Sequence, residues 1–437
     1  MAATIVSGFA YPSCKPNAYP SARTRVGSGS GVLVIDRSSC WYVHTTPMYD
    51  DMRRRRVTTT TAGEILLAAP GGRQQEKDDD EEEEWRGFLT PERLEMVRQL
   101  EPWVEEQVLP LLKPVESSWQ PSDLLPDPAT LGSDGFHAAC LDLRARAACV
   151  PDELLVCLVA NAVTEEALPS YPSGLNRLAV VRDATGRDSS AWARWIRGWS
   201  AEENRHGDVL NRYMHLCGRF DMREVERTVQ RLIGSGMVVR GPPASPFHGF
   251  VYVAFQERAT AIAHGNTARL VGSRARGGAG DDALARICGT VAADEKRHEA
   301  AYTRIVAKLF EADPDAAVRA MAYMMRRRID MPTSLVSDGR HADFYDRFVA
   351  IAQHAGTYTL SDYRGILEHL IRQWGVEHLA AGLSGDGRRA RDYLCALPQK
   401  IRRMEEKARD RAAKAGKKPT PVPISWIFDR PISVVLP

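Results

Sequence analysis

Glu203-Asn-Arg-His206 and, 92 residues later, Glu295-Lys-Arg-His298 decide how this chain is read. They are the only two Glu-x-x-His tetrads in the sequence. Composition alone yields about one such tetrad in a chain of this length, so a single copy would carry no information. Two copies that also share Arg at the third position do. On a helix, residues i and i+3 share a face, so a carboxylate and an imidazole at that spacing can converge on one metal ion. Trp192, Trp195, Trp199, Leu210, Tyr213 and Cys217 fall on the stripe of Glu203 and His206. Leu284, Ile287, Val291, Tyr302, Ile305 and Leu309 repeat that stripe around Glu295 and His298, each offset by 92 residues. The tetrads therefore lie on the apolar faces that helices bury.

Taken singly, either tetrad is an amphipathic helix with a partly exposed ion pair. Taken together, a Glu and a His on the buried faces of two helices need partners, and a shared metal supplies them. A four-helix di-iron carboxylate bundle also requires one Glu from each of two further helices. Thirty-eight residues before each tetrad stand Glu165, in Thr-Glu-Glu-Ala-Leu-Pro, and Glu257, in Phe-Gln-Glu-Arg-Ala-Thr. The register separates them from Glu166 and Glu202, whose counterparts are Arg258 and Asp294. The candidate ligands are thus Glu165, Glu203, His206, Glu257, Glu295 and His298. Four carboxylates and two imidazoles suit iron or manganese better than zinc or copper, and four negative charges balance two divalent cations.

Longer stretches carry a family resemblance. They are Trp-Gln-Pro at Trp119–Pro121, Leu-Pro-Asp-Pro at Leu125–Pro128, Thr164–Pro169, Ala201–Asp208, Leu232–Met237, Phe255–Thr260, His264–Arg269, Ala292–Glu299 and Ser425–Arg430. From about Glu84 to near the C-terminus the chain resembles the soluble plant acyl-acyl-carrier-protein desaturases, of which the stearoyl desaturase is best known. The resemblance implies an all-α, ferritin-like four-helix bundle with peripheral helices, holding two Fe(2+) ions per chain. It implies oxygen-dependent insertion of a cis double bond into an acyl chain on acyl carrier protein, with reduced ferredoxin as electron donor, in a homodimer of the plastid stroma. It also places Asp294 on an electron route toward His206 with Trp119 at the outer end, and gives Thr260 a part in handling the oxygen intermediate. From the residues alone, Asp294 is the natural acceptor for the second N–H of a ligand imidazole, or else a solvated helix charge. Thr260, one turn after Glu257, is equally a packing residue.

The chain departs from the family pattern in one stretch. Typical members read Pro-Thr-Tyr-Gln-Thr-Met-Leu-Asn-Thr where this sequence has Pro169 to Arg177, so that Gly174 replaces Met and Arg177 replaces Thr. Asn161 stands where Asp is common. All six ligand positions are retained, so the departures bear on the substrate. A ferritin-like iron store and other oxygenases on the same fold remain the competing readings.

With 44% apolar and 26% charged residues the composition is that of a globular chain. A net charge of +2 gives no sign of nucleic-acid binding, and no apolar run approaches membrane-spanning length. No acidic residue precedes Asp36, and Lys15, Arg23, Arg25, Arg37 and Arg53 to Arg56 make the first 57 residues basic, which reads as a plastid transit peptide. Residues 58–84, ending in seven consecutive acids from Asp78, read as a solvated linker, and residues 85–437 as the catalytic domain. The eight cysteines show no Cys-x-x-Cys pairing, which excludes the usual zinc and iron-sulfur patterns.

Helices are expected from Thr90 onward. One carries Glu165 from Pro151 and is expected to show a kink or irregularity beside the metal site, because Pro169 cannot return a hydrogen bond to the Glu165 carbonyl. Ile424 to Phe428 and Ile432 to Leu436 are expected to form a short hairpin. Arg326 to Arg328, with Lys400, Arg402, Arg403, Lys407, Arg409 and Arg411, form either solvated helix faces or a dock for an acidic carrier protein.

Overall fold

The computed structural model describes residues 87–236, 244–415 and 419–435. The basic tail and the acidic linker expected at 1–57 and 58–84 lie outside these residues. The described chain is helical nearly throughout. In order the helices are α1 (Pro91–Gln99), α2 (Glu101–Gln107), α3 (Pro121–Leu124), α4 (Pro128–Ala147), α5 (Asp152–Glu166), α6 (Ser170–Leu175) and α7 (Ala191–Cys217). They continue with α8 (Met222–Ser235), α9 (Pro246–Val271), α10 (Asp282–Ala312), α11 (Pro314–Arg327), α12 (Phe344–Ala355), α13 (Leu360–Gln373) and α14 (Gly385–Ala415). One hairpin, β1 (Thr420–Ile424) with β2 (Arg430–Val434), is the sheet among the described residues.

The bundle is α5, α7, α9 and α10, and its helices begin where side chains or proline satisfy free backbone donors. Ser190 accepts from the Ala193 N–H at 3.2 Å to open α7, and Asp281 accepts from the Leu284 N–H at 3.0 Å to open α10. Pro246 occupies the first turn of α9, and Gly218 ends α7 in the left-handed conformation at φ 68°. Every apolar residue read as part of the two repeated stripes is buried. Each such side chain contributes about 1.5–3 kcal/mol relative to exposure, so the register of α7 and α10 is fixed and turns Glu203, His206, Glu295 and His298 inward. The apolar run Leu154–Val163 forms the core helix α5, buried at every position except Asn161. No single helix among the described residues is long and apolar enough to cross a membrane.

Pro169 does not kink α5; the helix ends before it. α5 stops at Glu166 and Pro169 precedes the short α6. The Thr164 carbonyl freed by this break accepts from the Ala167 N–H at 3.2 Å and the Tyr171 hydroxyl at 2.6 Å, so the irregularity beside Glu165 is hydrogen-bonded.

The hairpin is present but its strands begin earlier than expected, with Val422 opposite Ile432. Pro421 and Pro423 look like breakers, yet in a two-stranded ribbon each strand has one unpaired edge where the missing N–H is harmless. Ser425–Ile427 instead form a 3-10 turn, and Phe428 and Asp429 reverse the chain at positive φ. Trp426 is buried and donates Nε1–H to Thr228 Oγ1 at 2.9 Å.

Asp152 clamps this hairpin to the start of α5. It accepts two hydrogen bonds from Arg430, at 2.8 and 2.9 Å, and one from Arg219 at 2.8 Å. Burial alone would raise the Asp152 pKa, but the two guanidinium groups outweigh it and hold the carboxyl below its ordinary value. A carboxylate of this kind stabilises the fold above its unfolded pKa and loses that contribution as pH falls through the folded one. Asp152→Ala should therefore lower unfolding free energy by about 1–3 kcal/mol at neutral pH in urea titrations. The gap from wild type should close as the pH falls below about 4. A gap that stays constant down to acid unfolding would rule out the charged clamp.

Candidate metal centre

The structure brings all six predicted ligands together, each of them buried. Glu165, Glu203, His206 and Glu295 form one group and Glu203, Glu257, Glu295 and His298 a second; within each, one donor atom per residue lies within 4.8 Å of all the others. Glu203 and Glu295 belong to both, so the two groups share an edge. Nδ1 of His206 is 3.1 Å from Glu203, 3.2 Å from Glu295 and 3.7 Å from Glu165. Nδ1 of His298 is 2.7 Å from Glu203 Oε1 and 3.6 Å from Glu257.

The donor geometry fits a cation. His298 Nδ1 and Glu203 Oε1 are close and buried, yet neither has a hydrogen-bonding partner. The reason lies on the far side of each ring. His298 Nε2 is 2.9 Å from Glu202, and His206 Nε2 is 3.5 Å from Asp294. Where a metal takes the place of the Nδ1 proton, an N–H directed outward leaves the Nδ1 lone pair directed inward. The charges agree. Burial, with the negative charges of Glu203 and Glu295, pushes the Glu257 pKa well up. For both imidazoles burial disfavours the cation, but Glu203 and its neighbours outweigh it and raise their pKa values well above normal. The four carboxylates thus draw in positive charge, and oxygen-rich donors with two imidazoles accept a metal such as iron.

Asp294 lies where the sequence placed it. Fully buried, it accepts from Trp119 Nε1 at 2.8 Å, Arg297 at 2.6 Å, Lys113 at 3.2 Å and Arg205 at 3.3 Å. Burial would raise its pKa, but the bonds from His206 and Arg297 outweigh that and hold it far below the carboxylate range. Trp119 stacks on His206 at 6.2 Å with the ring planes 5° apart, and the Arg205 guanidinium sits 5.0 Å over the Trp119 ring.

Two contacts were not anticipated. Glu202 is the mirror of Asp294: it accepts from His298 on α10, while Asp294 on α10 faces His206 on α7. The equivalence of Glu202 and Asp294 across the 92-residue offset was the available signal. Burial would raise the Glu202 pKa, but hydrogen bonds from His298, Arg297 and the Lys113 N–H hold it at about 2. His264 Nε2 is 3.1 Å from Glu165 Oε1; standing seven residues after Glu257, it shares that residue's helix face.

Thr260 donates to Glu295 Oε2 at 2.7 Å and also contacts the carbonyls of Gln256 and Glu257. It lines a cavity that begins at Glu165, Glu203, Glu257 and Glu295 and continues past Tyr171, Gly174 and Arg177 to Arg328 and Leu335. The two departures from the family pattern therefore face the same space as the carboxylates. Arg326 packs over the Tyr393 ring of α14 at 5.0 Å, which joins the basic end of α11 to exposed Lys400, Arg402, Arg403, Lys407 and Arg409.

A four-helix bundle with two edge-sharing carboxylate and histidine groups opening onto a cavity defines a ferritin-like protein with a candidate metal centre. The chain belongs to the fatty acid desaturase family, whose model matches residues 92–428, and within it to the plant acyl-acyl-carrier-protein desaturases. It is 72% identical over 354 residues to the chloroplastic acyl-acyl-carrier-protein desaturase 6 of Oryza sativa subsp. japonica, covering 81% of this chain and 84% of that one. It is 70% identical to desaturase 7 of Oryza sativa subsp. indica, covering 81% and 86%. It is 54% identical to the chloroplastic stearoyl-acyl-carrier-protein 9-desaturase 2 of Arabidopsis thaliana, covering 79% and 82%.

Proposed function

We propose that this enzyme introduces a cis double bond into a saturated acyl chain carried on acyl carrier protein in the chloroplast stroma. It uses O2, electrons from reduced ferredoxin, and two ferrous ions held by Glu165, Glu203, His206, Glu257, Glu295 and His298. The carrying observation is the shared Glu203–Glu295 edge of the two groups, which lies at the wall of the cavity. The names of the relatives supply the substrate class and the compartment.

Bound iron would supply the oxygen chemistry needed to remove hydrogen from unactivated methylenes. The chain's own residues do the rest. Glu202 and Asp294 orient the two imidazoles, and Trp119 with Asp294 connects the surface side of α3 to His206. The cavity takes up the acyl chain and fixes which carbons lie beside the carboxylates. Thr260 holds its hydroxyl proton against Glu295 at the junction of cavity and cluster. Outside the cavity, the joined basic faces of α11 and α14 offer positive charge to an acidic carrier protein. Incubating the iron-loaded protein with reduced ferredoxin and a panel of acyl-carrier-protein thioesters, then identifying products by mass spectrometry, tests this reading. An absence of unsaturated product from every thioester would reject it.

The cavity wall should set chain preference. A Cβ placed on Gly174 meets nothing within 4 Å, so that position has free volume a larger residue would occupy. Such pockets discriminate a methylene by about 1–3 kcal/mol. Gly174→Met with Arg177→Thr should therefore move the ratio of kcat/KM values toward the stearoyl thioester by about tenfold. Unchanged product ratios would remove these residues from specificity. For the compartment, a fusion of the first 60 residues to a fluorescent reporter should enter plastids; a uniformly cytosolic signal refutes the transit peptide.

A further inference from the structure

The arginine at the third position of both tetrads is repeated in sequence but not in contacts. Arg205 sits over the Trp119 ring and reaches the Trp119 carbonyl and Asp294, each at 3.3 Å. Arg297 makes shorter bonds, and it makes them to both halves of the repeat. Its Nη1 donates to the Leu111 carbonyl at 2.6 Å. Its Nη2 donates to Glu202 at 2.7 Å and to Asp294 at 2.6 Å. Burial disfavours the Arg297 charge, but the two carboxylates outweigh it and raise its pKa.

Those carboxylates are the groups that face the outer nitrogens of the ligand imidazoles, Glu202 at 2.9 Å from His298 Nε2 and Asp294 at 3.5 Å from His206 Nε2. Each terminal nitrogen of a guanidinium carries two hydrogens, so Nη2 can serve both carboxylates at once. Glu202 and Asp294 are buried, and like charges this close repel. The cation between them removes that repulsion, and the Leu111 carbonyl fixes where the cation sits. Asp294 has further donors in Trp119, Lys113 and Arg205, and Glu202 has the Lys113 backbone N–H. Lys113 reaches the two carboxylates through separate groups, its ammonium and its backbone; Arg297 joins them through one nitrogen.

Resting on the metal-centre reading above, we propose that Arg297 is a positioning residue for both metal ions: by holding Glu202 and Asp294 together it fixes the outward N–H of both ligand imidazoles. Glu202 and Asp294 each act on one ring, and Arg297 acts on both. Arg205 serves Trp119 and the His206 side alone.

Ferrous titrations by calorimetry test this with Arg297→Gln and Arg205→Gln in two single-site backgrounds. His298→Ala keeps only the group with His206, and His206→Ala keeps only the group with His298. Arg297→Gln should weaken the remaining ion by about tenfold in both backgrounds, the low end for an outer partner of a metal ligand. Arg205→Gln should do so only in the His298→Ala background. Arg297→Lys, which keeps the charge and has donors for two carboxylates, should recover part of the loss in both. A loss from Arg297→Gln confined to one background, or absent from both, overturns the proposal. So does an equal loss from Arg205→Gln in the His206→Ala background, which marks general loosening. Proton NMR of the two-iron proteins supplies a separate signature. The paramagnetically shifted outer N–H of each imidazole should exchange with solvent faster in Arg297→Gln than in wild type, and unchanged exchange at either ring overturns the proposal. If wild type binds two ferrous ions but forms no unsaturated product, the desaturase reading fails while the titrations still decide the role of Arg297. If wild type binds no ferrous ion, both fail. Thermal melts verify the fold; should Arg297→Gln not fold, Arg297→Lys, expected to weaken both ions by a smaller factor, carries the same comparison.

Discussion

Glu203→Ala protein should emerge from expression with almost no iron, while His298→Ala should retain about half the wild-type content. The difference follows from the shared edge. Glu203 belongs to both donor groups, so its removal takes a ligand from each ion, whereas His298 belongs only to the group with Glu257. The group of Glu165, Glu203, His206 and Glu295 is untouched by the second substitution. Wild type should bind about two irons per chain, as six ligands with two shared carboxylates imply. Desaturation by either variant should fall to background, because one ion alone cannot replace the pair. Colorimetric iron analysis on protein of verified helical content measures the effect. Full retention in both variants would sink the ligand assignment, and equal loss in both would show that Glu203 is not shared.

The convergence of the six candidate ligands was legible in the sequence because two independent periodicities agreed: the i, i+3 spacing that makes a helix face and the 92-residue offset that repeats it. Trp195, Tyr213, Val291 and Tyr302 mark the buried stripe as clearly in sequence as in the bundle. The parts that were not legible obey weaker rules. α4 spans 20 residues but is broken at Gly132, whose φ of 67° is not helical, and most of it is exposed, so no stripe announces it. The hairpin was misplaced by several residues because Pro421 and Pro423 suit an unpaired ribbon edge, a property of the fold rather than of local composition. Pro169 was correctly read as removing a hydrogen bond. The helix ends three residues before it, and the Tyr171 hydroxyl takes up the carbonyl of Thr164, the residue before Glu165.

Glu202→Ala should weaken iron binding at the His298 side by about 10- to 100-fold without touching a ligand. Glu202 accepts the outer N–H of His298 at 2.9 Å, and that bond keeps the Nδ1 lone pair aimed at Glu203 and Glu257. Without the acceptor, the ring can shift its proton to Nδ1 or rotate, and either change costs the metal its nitrogen donor. The substitution also removes partners from Arg297 and the Lys113 N–H. Arg297 keeps Asp294 at 2.6 Å, which limits the damage to the fold. The competing explanation is a general loosening of the cluster, and a double-mutant cycle separates the two. If Glu202 acts through the imidazole, then Glu202→Ala introduced into His298→Ala protein should change the affinity for the remaining iron by less than about twofold, because the ring it orients is already gone. General loosening would instead lower that affinity as much as it does in the wild-type background. Ferrous titrations of the four proteins, monitored by calorimetry at one pH, read the coupling directly, and full additivity would show that the Glu202–His298 hydrogen bond does not orient the ligand.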